Sequence, residues 1–181
     1  GAHPYSRGDD QFPENAPQIL TKGKRAYTYD TEGREYLDYG MALRAINIGY
    51  AIKEVNQAAI KQIENGNNLT RASTIELEAA ELLVSMIDSV DMVKFTKNGS
   101  TATTAAIKLS KAYTGRQIIA LCQDHPFFSY DDWFIGSTVM KKGVSEKDIK
   151  DTKLFTYNDI NSLKSLFERY PNEIACVILE P

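Results

Sequence analysis

Two short runs constrain this chain more than anything else in it: QIIALC over residues 117–122 and IACVIL over 174–179. A strand with one wet face alternates apolar and polar residues, and these runs do not. Continuous apolar strands belong to parallel sheets that helices cover on both faces. KLFTY (153–157) reads as a third strand. Asp159 then caps a helix carrying Ile160, Leu163, Phe167 and Tyr170 on one side, and Pro171 ends it. Upstream, residues 92–114 read as an apolar strand, a polar turn and a helix. Ala102, Ala105, Leu109 and Ala112 are expected inward, with Gly115 as the C-cap. Strand and helix thus alternate from Met92 onward, which predicts an α/β fold with right-handed crossovers.

The preceding segment is of another kind. Residues 1–20 are polar, contain Pro4, Pro13 and Pro17, and read as an extended arm. KRAYTYD and REYLDYG flank the turn Asp30-Thr31-Glu32-Gly33, which predicts a hairpin over 24–39. Ile52, Val55, Ala59 and Ile63 share a face of a helix over 51–65 that Gly66 stops, and Ser73-Thr74-Ile75-Glu76 is a capping box opening the next. The division expected is an N-terminal arm and hairpin over 1–50 and a larger domain over 51–181.

Composition excludes several function classes. The net charge of −3 supplies no basic field for nucleic acid, and no apolar run approaches the length of a membrane span. No signal-peptide pattern opens the chain, so a cytoplasmic location is expected. Cys122 and Cys176 both fall in apolar strands and read as buried free thiols, with a disulfide or metal pair as the alternative. His125, Asp131 and Asp132 lack a second histidine at ligand spacing, so no metal site is expected.

The turn Asn98-Gly99-Ser100-Thr101 lies where the strand hands over to the helix. A helix start carries unpaired N–H groups and the positive end of the dipole, so it attracts anions. Glycine lets the backbone approach the anion, and Asn, Ser and Thr add donors. The other reading is an Asn-capped helix without a ligand. Neither G-x-x-x-x-G-K-[ST] nor G-x-G-x-x-G is present, which argues against a nucleoside triphosphate or a dinucleotide.

Six landmarks fall in one order: D-x-x-G-x-x-Y-L-D (Asp30 to Asp38), a glycine and helix from Gly49, E-L-E-A-A-E-L-L (76–83), F-T-K-N-G-S-T-A (95–102), A-Y-T-G-R (112–116) and V-I-L-E-P (177–181). In this order the chain resembles the class III aminotransferases dependent on pyridoxal 5′-phosphate (PLP), of fold type I, and within them the glutamate-1-semialdehyde aminomutase-like branch. The resemblance implies the N-terminal part of an enzyme moving an amino group between a small amino donor and a carbonyl acceptor, a sugar-related keto compound among them, and implies a homodimer. It puts Asn98, Gly99 and Ser100 around the cofactor phosphate. The family's ring-stacking Tyr, in Tyr-His-Gly, falls on His125 by gapless alignment from Gly115, and on Phe127 after a shift of two; His125 is favoured. Glu180 matches the family's E-P glutamate near cofactor and substrate. Arg44 and Arg71 are candidates for a substrate carboxylate, which the planar guanidinium fits bidentately; surface salt bridges are their ordinary alternative. Tyr130 and Trp133 either wall the pocket or pack in the core. Lys97 is assigned no catalytic role. The family's Schiff-base lysine and its aspartate partner to the pyridine nitrogen follow the E-P motif and have no match here, so the chain alone is expected to be inactive. A phosphate-binding module without catalysis and one half of a two-chain enzyme are the competing expectations.

Overall fold

The computed structural model describes residues 7–180, so Pro4 and the Pro181 of the E-P motif lie outside the described residues. The chain divides into two compact units, one ending at Leu77 and one beginning at Glu78.

In the first unit, β1 (Leu20–Lys24), β2 (Tyr27–Asp30) and β3 (Glu35–Leu37) form an antiparallel sheet in that order. The expected hairpin is β2–β3, with Tyr27 opposite Leu37 and Tyr29 opposite Glu35. The strand β1 was not expected. Its Gly23 is what lets it lie beneath Tyr50, because a Cβ there would sit 2.5 Å from the ring. The hairpin turn is organised by Asp30, only 4% exposed. Its Oδ1 accepts the N–H groups of Glu32 and Arg34, both at 2.9 Å, and its Oδ2 accepts Arg34 Nε at 2.7 Å and the Tyr36 hydroxyl at 3.0 Å. Burial by itself pushes this carboxyl up. The Arg34 guanidinium, the two backbone N–H groups and Tyr36 outweigh it and hold Asp30 at about 2.

A left-handed turn follows at α1 (Met41–Arg44), where all four residues have positive φ. Asp38 holds its start by accepting the N–H groups of Gly40 and Met41 on Oδ1 and the Tyr50 hydroxyl on Oδ2. Helix α2 (Lys53–Glu64) ends just before Gly66 at φ 90°, as the sequence predicts. Its apolar stripe buries nothing, and Val55 and Ile63 are more than half exposed. The capping box opens α3 (Thr74–Met86), with the Ser73 N–H donating to Glu76 Oε2 at 2.8 Å.

The second unit is built on β4 (Ile118–Cys122), whose five residues are all buried. It lies between β5 (Thr152–Phe155) and β6 (Ile174–Ile178), parallel to both. Alternate residues face opposite cores. Ile119 and Leu121 pack with Ile107 of α4 (Gly99–Thr114) and with Trp133 and Phe134 of α5 (Asp132–Ile135). Ile118, Ala120 and Cys122 pack with Phe155, Ile174 and the Leu163, Leu166 and Tyr170 side chains on and just after α7 (Ile160–Arg169). A further helix, α6 (Glu146–Asp151), precedes β5 and, like α5, was not expected. Cys122 and Cys176 belong to opposite faces and are both free, and burial raises the Cys176 thiol.

Three expectations are corrected. Residues 92–96 form no strand, because they pair with no neighbour among the described residues; Met92 is 88% exposed. The inward face of α4 is the one opposite to that expected. Leu109 is exposed, while Thr103, Thr104, Ile107 and Ser110 turn toward the protein. Hydroxyls can face inward there because they find carbonyl acceptors, as Ser110 Oγ does in the Ala106 carbonyl of its own helix at 2.9 Å. On α7, Leu163 and Tyr170 pack as expected, but Ile160 and Phe167 are exposed. They lie roughly 40–60° round the helix from Leu163, on the flank of the stripe. No described helix is long and apolar enough to cross a membrane.

The Asp30 cluster sets an acid limit. A carboxyl depressed to about 2 in the fold contributes stability at pH values above the unfolded pKa of about 4 and loses it as pH falls toward 2. Asp30→Asn should remove that pH dependence and lower the melting temperature at pH 7; unfolding followed by tyrosine fluorescence between pH 2 and 7 checks both.

Candidate active site at the carboxyl edge of the parallel sheet

Helix α4 runs into β4 through Gly115, which sits at φ 69° as the C-cap. The helix therefore starts at the carboxyl end of the strand it precedes. Parallel sheets assemble their sites at that edge. Asn98 is the N-cap: its Oδ1 accepts the Thr101 N–H at 2.9 Å and the Thr101 hydroxyl at 3.0 Å. The Ala102 N–H is taken by the Asn98 carbonyl. Among the described residues the N–H groups of Gly99 and Ser100 have no acceptor. Gly99 has a helical φ, and a Cβ built on it would meet no atom within 4 Å. Packing within the chain thus does not demand glycine there.

The loop that leaves β4 closes on this turn. The Tyr130 N–H donates to Ser100 Oγ at 3.4 Å, and Thr103 Oγ1 donates to the Phe128 carbonyl at 3.2 Å. Phe128 in turn lies against His125, ring centroids 4.8 Å apart and tilted by 33°. His125 meets the end of β6: the backbone N–H of Glu180 donates to its ring edge, 3.1 Å from Nε2 and 3.4 Å from Nδ1. The end of β5 joins through Tyr157, whose ring stands edge-on to His125 at 6.4 Å and whose N–H reaches Asp124 Oδ2 at 3.3 Å. The structure therefore links Ser100, His125 and Glu180 through one loop. Phe127 is 65% exposed and makes an edge contact with Phe134 at 5.5 Å. Trp133 is a core residue and Tyr130 an exposed one.

Arg44 and Arg71 belong to the first unit. Both are exposed, and neither makes an ion pair among the described residues. Two clefts of that unit, of about 250 and 500 Å³, are lined by Gln62, Asn68, Ser73 and Glu76 among others and by Arg25, Asp38, Met41 and Tyr50 among others, and neither lining includes Arg44 or Arg71. Neither includes the α4 turn, and a helix start open to solvent is not a concavity. The candidate site is defined by its donor geometry. No cluster of metal-ligating side chains occurs among the described residues.

Residues 10–181 match the family Aminotransferase class-III. The chain belongs to the class III aminotransferase family. A glutamate-1-semialdehyde 2,1-aminomutase of Thermosipho africanus is 36% identical over 93% of this chain and 42% of its own length. Among solved structures, an omega-transaminase from Sphaerobacter thermophilus has a TM-score of 0.85 at 28% identity, over 94% of this chain and 42% of the other. The FumI protein of Sphingopyxis sp. MTA144, in a PLP form, has a TM-score of 0.85 at 32% identity, over 94% and 40%. This class III chain thus spans about 42% of the length of its curated relative, and its fold is that of the fold type I transaminases.

Sequence reading passed over Thr103, Thr104 and Ser129, which join the turn to the loop. The signal was there: Thr103 and Thr104, adjacent hydroxyls in the first turns of α4 that face the protein, must find partners. Asn98→Ala should destabilise the second unit by about 1 kcal/mol, the usual effect of losing an N-cap, measured by urea unfolding with Trp133 fluorescence.

Proposed function

We propose that this chain is the N-terminal part of a PLP-dependent aminotransferase or aminomutase that transfers an amino group on a small carbonyl or amino-acid substrate. The observation that carries the reading is the α4 start: two backbone N–H groups without an acceptor among the described residues, at a glycine where a Cβ would meet no atom of the chain within 4 Å. These groups fit a phosphate monoester, since the donors point along the helix dipole and no side chain competes for them. When bound, PLP supplies an electron sink for the bonds at the substrate's amino carbon.

In this reading residues 51–181 contribute to the cofactor-binding domain, after an arm and hairpin over 1–50. Asn98, Gly99 and Ser100 anchor the phosphate. His125 lies flat against the cofactor ring, a role supported by its place between the end of β4 and Glu180; Phe127 is the second candidate. Glu180 borders the substrate, and Arg44 and Arg71 receive its carboxylate. The covalent lysine and the acidic partner of the ring nitrogen come from residues other than those identified here. The complete protein acts in the cytoplasm as a homodimer.

The test is cofactor affinity in the complete protein. Gly99→Ala should leave stability within about 0.5 kcal/mol, because a Cβ there meets nothing, yet weaken PLP binding roughly tenfold by crowding the phosphate. His125→Ala should weaken it by a similar factor, and Phe127→Ala by less than twofold. Unchanged PLP affinity in Gly99→Ala would contradict the phosphate assignment.

A further inference from the structure

Three hydrogen bonds connect the first turns of α4 to the segment after β4, and a fourth braces that segment, through side chains that are buried or half-buried. Trp133 Nε1 donates to Thr104 Oγ1 at 3.0 Å. Thr104 Oγ1 lies 3.3 Å from Ser129 Oγ. Ser129 Oγ reaches the Ser100 carbonyl at 3.5 Å and accepts the Asp131 N–H at 3.0 Å. Ser129 is fully buried and Trp133 only 6% exposed. One arrangement uses every hydrogen: indole N–H to threonine, threonine O–H to serine, serine O–H to the Ser100 carbonyl. Such a chain restrains the Thr104 and Ser129 hydroxyls, since turning either one breaks a link between helix and loop.

The chain of bonds ends on the peptide of Ser100, beside one of the two open N–H groups, and it starts on the indole that packs under Phe134 and the His125–Phe128 loop. We propose that Thr104, with Ser129 and Trp133, is a positioning device that fixes the phosphate-binding turn relative to the ring-stacking loop. Trp133 then senses whether the turn is occupied. The inference rests on the PLP reading of the turn. It assigns no contact with the cofactor to any of the three. Their effect passes through Ser100 on one side and Phe128 on the other. Spacing matters because phosphate and ring belong to one rigid ligand: a turn and a loop free to shift independently would bind its two ends at different optima.

The experiment uses the complete protein and two substitutions at one position. Thr104→Val keeps the shape and removes the hydroxyl; Thr104→Ser keeps the hydroxyl. PLP affinity is measured by equilibrium titration below each variant's melting temperature, with tryptophan emission recorded in the same titration and the contribution of Trp133 taken as the difference from Trp133→Phe. Expected are a PLP Kd raised about five- to tenfold in Thr104→Val, near-normal affinity in Thr104→Ser, and a shift of Trp133 emission on PLP binding that Thr104→Val loses. A lower melting temperature in Thr104→Val with unchanged Kd and an unchanged emission shift would show a purely structural role and overturn the inference while leaving the phosphate assignment standing. Absence of PLP binding by the unsubstituted protein would overturn both. If Thr104→Val does not fold, Trp133→Phe takes its place and the Kd alone decides, by the same factor.

Discussion

The burial of β4 on both faces governs the second unit. Five consecutive buried residues can be accommodated only if helices close over each side of the sheet and strands flank both edges. Each fully buried aliphatic side chain contributes roughly 1.5–3 kcal/mol, so the strand and its two cores dominate the stability of this unit. Parallel neighbours follow, because each crossover must carry a helix. From the parallel arrangement comes the rest: helix α4 feeds β4 from the opposite direction, and its start lands at the carboxyl edge beside the loops that leave β4, β5 and β6.

That edge is held together by polar contacts. Hydroxyls of Ser100, Thr103, Thr104 and Ser129 tie helix to loop, while His125 is fixed between Phe128, Tyr157 and the Glu180 backbone. Individually such bonds contribute about 1 kcal/mol. Their value lies in fixing geometry, which suits the role proposed for the two backbone donors and the His125 ring.

The parts of the fold written in local chemistry were legible in the sequence. The apolar runs gave β4 and β6, Asp159 and the Ser73–Glu76 box gave helix starts, Gly115 gave a helix end, and the Asp30–Gly33 turn gave the hairpin. The Asn98–Ser100 turn was readable as a helix start for the same reason. What escaped depended on distant partners. β1 forms only because Gly23 admits the Tyr50 ring from 27 residues away. The inward face of α4 is set by hydroxyls that find acceptors after folding, whereas hydrophobicity alone marked its exposed Ala102–Leu109 side. Residues 92–96 have a strand's composition but pair with no strand among the described residues. Short helices α5 and α6 carry too few residues for periodicity to show.

The central claim is that the backbone N–H groups of Gly99 and Ser100 hold the phosphate of PLP. Amide resonances of the complete protein, labelled with nitrogen-15 at glycine and serine, test it directly. The account predicts that Gly99 and Ser100 shift downfield on adding PLP and stay in place on adding phosphate-free pyridoxal. Bound PLP with both amides unmoved would contradict it.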